Sequence, residues 1–449
     1  MIYDLTSGSV GKNIVRFSIP YFLSYLLQTL YGLADLFIIG QFDGTGATTA
    51  VSIGSQVMHM LTVVIVGLAM GTTVSLSQAV GAKKKEDAAK AVGNTVVLFL
   101  ALSAVLTALL LLLVRPIASV MQTPDAAVYG TRAYLRICFA GIPFITAYNI
   151  ISSIFRGLGD SKTPMYFVAI ACAVNIALDY LFIGGFDMGP SGAAYGTILA
   201  QAVSVGVSLL VIQRRGLGFR VTREAFRPAR MVMKKLIRIG LPVAAQDGMI
   251  QISFLVITMI ANLRGLDDAA AVGITEKLIS MIFLVPSSML SSISTIASQN
   301  LGAGKTDRAR KTLRYALIIA GGYGISMALL MQFTGGFFLG LFSKDPRVVS
   351  LGWEYLRSYS VDTFFAGIHF CFSGYFVAAE HSIYSFVHNI TSAVFVRIPA
   401  SYFLSKMFPT TLLPMGFAAP MGSIVSDGIC IVLYVHLRKK SDSVSKVAG

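Results

Sequence analysis

The sequence predicts an all-α polytopic membrane protein with twelve transmembrane helices, arranged as two pseudo-symmetric six-helix lobes around a central cavity. Three observations lead to this fold class: the composition, the spacing of long apolar runs and an internal repeat. Of the 449 residues, 55% are hydrophobic and only 13% are charged, and the mean hydropathy is +0.73. A water-soluble domain of this size carries far more charge and far less apolar surface.

The apolar runs are long enough to cross a bilayer, which needs about 20 residues of helix. Glycine, proline or clustered charges separate one run from the next. Several runs exceed the minimum length, so we expect tilted helices or helices that project from the bilayer. The predicted spans are 14–39, 50–79, 92–114, 131–156, 164–183, 191–212, 236–262, 271–300, 313–341, 353–379, 383–405 and 414–436.

The distribution of Lys and Arg predicts the orientation of these spans. If the N-terminus is cytoplasmic, the cytoplasmic segments carry 26 of the 36 basic residues and the opposite segments carry 8. The other two, Lys277 and Arg397, lie within spans. We therefore expect both termini in the cytoplasm and read the net charge of +15 mainly as a topology signal. No nucleic-acid partner is expected, because the basic segment 214–238 lacks a fold that could present bases.

The second half of the chain repeats the first at an offset of about 222 residues. Pro20 matches Pro242, and the sequence DYLF at 179–182 matches SYFL at 401–404. A repeat of this length indicates two copies of one structural unit. Because each copy has an even number of spans, the pseudo-two-fold axis is expected to run along the membrane normal.

The longest polar connector divides the repeats. We predict an N-terminal lobe at 1–212 with helices 1–6, a basic cytoplasmic linker at 213–235, and a C-terminal lobe at 236–449 with helices 7–12.

Asp35 is the one carboxylate in the first span. An ionisable side chain at the centre of a membrane helix costs about 2.5–3.5 kcal/mol, so it usually faces a bundle interior or a water cavity and has a function there. The alternative is a carboxylate near the helix end that reaches the water among the lipid headgroups.

Other polar side chains are predicted at the same depth. Asn175 and Asp179 are four residues apart and share one helix face. Asp35, Asp179 and Thr197 each lie five residues from the glycine that marks the outer end of their span, roughly 7–8 Å at about 1.5 Å per residue. Those glycines are, in the same order, Gly40, Gly184 and Gly192.

Two carboxylates, an amide and a hydroxyl at one depth supply hard oxygen ligands that suit Na⁺, or a carboxylate pair that shares a proton. The alternative is a hydrogen-bonded network that only joins three helices. The second lobe does not repeat the acidic set, which favours a functional role for the first. At its matching positions stand Ile257, Arg397, Ser401 and Ser423.

These features together resemble the multidrug and toxic compound extrusion (MATE) transporters over nearly the whole chain. Each motif alone is weak, but the set is specific. The matching segments are Leu5–Gly8, Phe17–Pro20, YGLADLFIIG around Asp35, FRGLGDSKTP at Phe155–Pro164, the Asn175/Asp179 pair and GAAYGT at Gly192–Thr197.

The resemblance implies alternating access and export of organic cations or amphipathic drugs in exchange for H⁺ or Na⁺. It also implies that Asp35, Asn175, Asp179 and Thr197 form the first-lobe cation site, with no metal beyond a possible Na⁺ there. We expect no cofactor apart from the coupling ion, and a monomer in the lipid bilayer of the cell membrane. Some relatives have a helix-seven Glu where this chain has Ile250, so a second-lobe cation site is not expected.

Four further residues are predicted to line the substrate cavity. Gln28 and Tyr31 precede Asp35 on about the same helix face, and Gln246 and Asp247 lie in the seventh span. Contacts between helices are the alternative role for these side chains. The buried cation Arg397 is expected to need an acidic partner inside the bundle.

Two other classes of function compete with export. A flippase for a lipid-linked oligosaccharide or another lipid precursor can share the two-lobe architecture, but its cavity would need several Arg and Lys residues. A membrane-embedded enzyme would need a nucleophile, metal or acid–base set, and the spans contain no closely spaced His and Asp/Glu set. No GxxxxGK[ST] sequence is present to bind ATP phosphates.

The charge distribution yields a direct test of orientation. Single cysteines at positions 223 and 267, in a background without the native thiols, should be labelled from opposite sides of the membrane. An impermeant maleimide applied to intact cells should label position 267 and spare position 223. Labelling of Arg223→Cys from outside would overturn the assignment.

Overall fold

The computed structural model describes residues 2–447, with side chains described to residue 439, and every regular element in this part is helical. Seven α-helices build the first half of the chain. A π-helical turn, Tyr180–Gly185, extends the sixth helix. The helices are α1 Val10–Phe42, α2 Thr45–Gly81, α3 Lys85–Val120, α4 Asp125–Ala140, α5 Ile142–Gly157, α6 Lys162–Asp179 and α7 Gly189–Arg215.

The second half contains ten described helices and a second π-helical turn, Ala393–Arg397. A short 3-10 turn, Arg223–Phe226, lies between the halves. The helices are α8 Arg230–Asn262, α9 Leu266–Ile282, α10 Leu284–Gly302, α11 Thr306–Gly340, α12 Pro346–Tyr359, α13 Asp362–Ala378, α14 Ser382–Ser392, α15 Ile398–Met407, α16 Leu413–Gly416 and α17 Ala418–Val447.

Among the described residues, nine helices are long and apolar enough to cross a membrane, or eleven if each bent pair counts as one span. The bent pairs are α4 with α5, at 51°, and α12 with α13, at 46°. The predicted span 383–405 is present as α14 and α15, joined by the π turn. The predicted all-α polytopic fold is therefore confirmed. The helices extend beyond the predicted bounds because their ends include polar residues next to the apolar runs.

The chain forms two compact units. The first contains the segment ending at Ser7, Ile19–Ala244 and Gly302–Gly304, and the second contains Gly8–Ser18, Ala245–Leu301 and the chain from Lys305 onward. The predicted boundaries at 212 and 236 stay a prediction.

Small residues allow the helices of the first unit to pack closely. A methyl group at Gly54 on α2 would overlap the ring of Tyr134 on α4, and one at Gly141 would overlap Ile198 on α7. These close approaches surround an apolar core in which Ile39 and Leu135 are fully buried. The core holds α1, α6 and α7 in register for the polar residues that they carry.

The second unit follows the same packing rule. A methyl group at Gly324 on α11 would overlap the backbone of Phe364 on α13, and one at Gly374 would overlap Leu290 on α10. Its core contains Tyr355 and Tyr359, packed edge to face at 5.5 Å between ring centroids.

Residues 216–229, the part of the basic linker between α7 and α8, pack against α3. Asn94 on α3 is fully buried. Its amide Nδ2 donates to the carbonyl oxygens of Ala225 at 3.2 Å and Arg227 at 3.4 Å, and its Oδ1 accepts from the Ala229 N–H at 2.7 Å. Gly93 leaves room for the linker, because a methyl group there would overlap the Ala225 carbonyl.

We expect Asn94→Ala to release this linker, since it leaves buried backbone groups unpaired at a cost of about 1–3 kcal/mol each. Trypsin should then cleave the purified protein faster after Arg220 or Arg223. Thr222→Ala, which shortens an exposed side chain of the same linker, is the control and should be cut like the wild type. Equal cleavage of Asn94→Ala and the wild type would show that Asn94 does not hold the linker.

Candidate functional site

Asp35 lies inside the first unit, on α1. Its side chain is only 2% exposed, so it is enclosed by protein and does not extend to the headgroup water. The alternative of a lipid-surface carboxylate is therefore wrong.

Three helices bring the four predicted site residues together. Thr197 Oγ1 on α7 donates to Asp35 Oδ2 at 3.4 Å, and Asn175 Nδ2 on α6 donates to Asp179 Oδ1 at 3.4 Å. Gly196 and Thr197, which are consecutive on α7, approach Asp179 and Asp35 respectively, so the two carboxyl groups lie side by side. Asn175 and Asp179 are both fully buried.

The common depth arises from similar distances to the helix ends. Asp35 lies seven residues before the end of α1, Asp179 lies six before the end of its π turn, and Thr197 lies eight after the start of α7. The predicted distance of five residues was too short because each helix continues beyond the glycine taken as its end. The three residues still lie at similar depth, because the three helices extend beyond these glycines by similar lengths.

The site contains more hydrogen-bond acceptors than donors. In the described part of the chain, Asp35 Oδ1, Asn175 Oδ1 and Asp179 Oδ2 are buried and accept no hydrogen bond. The two bonds that do form are 3.4 Å long, longer than the usual distances of about 2.7–2.8 Å for O–H···O and about 2.9–3.0 Å for N–H···O. Buried acceptors without donors are costly. A monovalent cation or a shared proton would complement these oxygens.

Gly196 on α7 makes room for Asp179. A methyl group at this position would overlap Asp179 Oδ1 and would lie 3.5 Å from Asn175 Nδ2. The GAAYGT motif contains this glycine, but its role in the site could not be assigned from sequence, because it depends on the distance between α6 and α7.

A cavity of about 170 Å³ adjoins the site within the first unit. Asp35 and Thr197 belong to its wall, as do the predicted residues Gln28 and Tyr31. Its other polar lining includes residues that sequence reasoning missed, among them Tyr134, Tyr148, Asn149 and Gln201. Among the described residues, no Lys or Arg lines this cavity.

The sequence contains a pattern that could have predicted one of these missed lining residues but not another. Gln201 follows Thr197 by four residues, so helical spacing places both on one face of α7. Tyr134 gave no such signal, because it lies on α4, which carries none of the predicted site residues.

Gln246 and Asp247 lie in the second unit, on α8. Gln246 is 3% exposed and its Oε1 accepts from Ser385 Oγ at 2.5 Å, a contact that joins α8 to α14. Gln246 Nε2 also donates to Asp247 Oδ1 at 3.4 Å. Their assignment to a substrate cavity stays a prediction.

Arg397 has two acidic neighbours, Glu276 and Asp362, that act on it electrostatically, but neither is a direct partner. Within the described residues it forms no ion pair shorter than 4.0 Å. Its guanidinium instead lies over the ring of Phe254, at 4.6 Å, and donates to the hydroxyl of Tyr359.

The chain was compared with known families and proteins. The family model MatE matches residues 20–181 and 242–403. The probable multidrug resistance protein YpnP of Bacillus subtilis is 30% identical over 98% of both chains. The probable multidrug resistance protein NorM of Thermotoga maritima is 24% identical over 90% of this chain and 88% of its own.

Solved structures share the fold. One, described as the outward-facing conformation of a multidrug resistance MATE family transporter of the MOP superfamily, superimposes with a TM-score of 0.90. It is 22% identical, and the match covers 98% of each chain.

We expect Gly196→Ala to displace the Asp179 carboxylate and weaken cation binding, with little effect on the fold. The control is Gly206→Ala on the same helix, where a methyl group meets nothing within 4 Å. Both changes favour the helix by about 0.5–1 kcal/mol. A ligand that binds the native state raises the melting temperature. The rise on adding Na⁺ or lowering the pH should be reduced in Gly196→Ala and normal in Gly206→Ala, and an equal rise in both would contradict the role of Gly196.

Proposed function

Because the chain belongs to the MatE family of multidrug and toxic compound extrusion transporters, we propose that it is a secondary active exporter driven by the entry of H⁺ or Na⁺. Its substrates are cationic or amphipathic small molecules, and transport proceeds by alternating access. Relatives named as multidrug resistance or multidrug export proteins support this substrate class.

One observation supports the proposal most directly. Asp35 belongs to the donor-poor oxygen set and also to the wall of the cavity. A cation or proton held between Asp35 and Asp179 therefore removes the negative charge that a cationic substrate in the cavity would meet. A shared residue of this kind allows the ion and the substrate to compete, which is the requirement for exchange.

The cavity wall suits substrates that combine a ring system with a positive charge. Tyr31, Tyr134 and Tyr148 present aromatic rings, which attract cations through their faces. Gln28 and Gln201 supply amide groups that can donate or accept hydrogen bonds.

The α1 helix is the element that couples the ion to the cavity. It contains Pro20, whose ring removes one backbone hydrogen bond. It also contains Gly32, which has open space beside it, because a methyl group added there would meet no atom within 4 Å. Two ionised carboxylates would repel each other and force α1 and α6 apart. Binding of one H⁺ or Na⁺ removes that repulsion, so α1 can approach α6, narrow the cavity and displace the substrate.

Flipping of a lipid-linked oligosaccharide is the less supported alternative. Its pyrophosphate would need basic side chains, and the first-unit cavity has none in its lining.

The bacterial relatives support a place in the cell membrane. We further infer that both termini face the cytoplasm, from the distribution of Lys and Arg.

We expect Asp35→Asn and Asp179→Asn each to reduce gradient-driven efflux at least 10-fold, while the protein still folds and inserts. Each change removes the ionisable group but keeps the size of the side chain. Asp43→Asn is the matched control, because Asp43 is an exposed carboxylate just beyond the end of α1. Ethidium export should be measured in proteoliposomes, with the pH and Na⁺ gradients collapsed one at a time.

The same measurement identifies the coupling ion, since only one of the two gradients should be required. Full transport by both Asp35→Asn and Asp179→Asn at normal expression would exclude coupling through this site.

A further inference from the structure

We propose that Arg397 is a tethered cation that fills the second unit's counterpart of the Asp35 site, so that this unit binds no coupling ion while Arg397 is present. The inference rests on the proposed function in one respect, because it takes the Asp35 site as the place of the coupling ion. Its consequence is one coupling ion per protein.

The internal repeat places Arg397 at the position of Asn175. The residues matching Asp179 and Thr197 are Ser401 and Ser423, which are 1% and 7% exposed. The second unit thus replaces a neutral amide with a permanent positive charge at the corresponding place.

Aromatic side chains hold the guanidinium in position. Arg397 lies 4.6 Å above the ring of Phe254 on α8 and donates to the hydroxyl of Tyr359 at the end of α12. On the side of α17, Gly422 allows close approach, since a methyl group there would lie 3.3 Å from the Arg397 Cβ. These contacts fix a cation that cannot be released during a transport cycle.

Two carboxylates face this cation without touching it. Glu276 on α9 accepts a hydrogen bond from Thr258 at 3.2 Å, and Thr258 lies one turn beyond Phe254 on α8. Asp362 begins α13, three residues after Tyr359. The charges of both carboxylates act on Arg397, although no ion pair shorter than 4.0 Å forms among the described residues.

Both carboxylates have oxygen atoms available for a further cation. Glu276 Oε1 and Asp362 Oδ1 are buried and accept no hydrogen bond in the described part of the chain, and Asp362 is only 2% exposed. Asp427 on α17 adds a third carboxylate near Asp362, and its two oxygens are also buried without a partner. Removal of Arg397 would leave these charges uncompensated, which is strongly unfavourable in a buried site.

The proposal predicts that Arg397→Ala creates a cation site. The probe is guanidinium, which has the shape and charge of the deleted group. Binding is measured by isothermal titration of purified protein in the Asp35→Asn/Asp179→Asn background, so that the first unit contributes nothing. We expect one guanidinium per protein in Arg397→Ala, with at least 10-fold higher affinity than in the parent, and a melting temperature that guanidinium raises.

Lys406→Ala is the matched control. It also removes a basic side chain that lies over an aromatic ring, in this case Tyr402 at 4.6 Å, but it leaves Arg397 in place. It should bind guanidinium no better than the parent. Equal binding by Arg397→Ala and Lys406→Ala would overturn the proposal.

A second measurement keeps Arg397 intact, so it does not depend on the folding of a position-397 variant. The Asp35→Asn/Asp179→Asn protein should bind no ²²Na⁺, and binding of one Na⁺ per protein there would overturn the proposal. Failure of the proposed function gives a different result. In that case gradient-driven export is absent or independent of Asp35, while Arg397→Ala still gains its guanidinium site.

Discussion

The pairing of two buried carboxylates with too few hydrogen-bond donors is the constraint on which the first unit depends. In a low-dielectric interior two ionised carboxylates repel each other strongly, and Asp35 and Asp179 lie side by side against consecutive residues of α7. The helices nevertheless stay packed, because small residues and an apolar core hold α1, α6 and α7 together from other sides. Under the proposed function, a neutralising ion or proton would remove this repulsion and make the site responsive to a gradient.

The two units carry different side chains at positions that the internal repeat matches. Packing in both depends on glycine contacts and apolar cores, which do not constrain the charge at the centre. The first unit has an acidic pair there, whereas the second has Arg397 held by Phe254 and Tyr359. Duplication of the fold has therefore not duplicated the site.

The fold class, the internal repeat and the four residues around Asp35 followed from sequence, because bilayer thickness fixes span length and helical spacing fixes which residues share a face. The helix ends did not, since polar residues continue a helix beyond the apolar run. Tyr134 was missed because its place in the cavity depends on how α4 packs against α2. The acidic neighbours of Arg397, Glu276 and Asp362, act on it without direct ion pairing, because aromatic faces and a phenol hold the guanidinium.

The size of the first-unit cavity bears on the proposed exchange of the ion for the substrate. Its volume of about 170 Å³ is below the range of roughly 300–1,000 Å³ for sites that enclose drug-sized ligands. A neutralised pair of carboxylates can lie side by side, as Asp35 and Asp179 do here. The small cavity occurs together with this arrangement. Ionisation would separate Asp35 from Asp179, and because Asp35, Tyr31 and Gln28 all lie on α1, that separation would move one whole wall outward. Under the proposed function, the same displacement that empties the ion site would enlarge the cavity for the substrate.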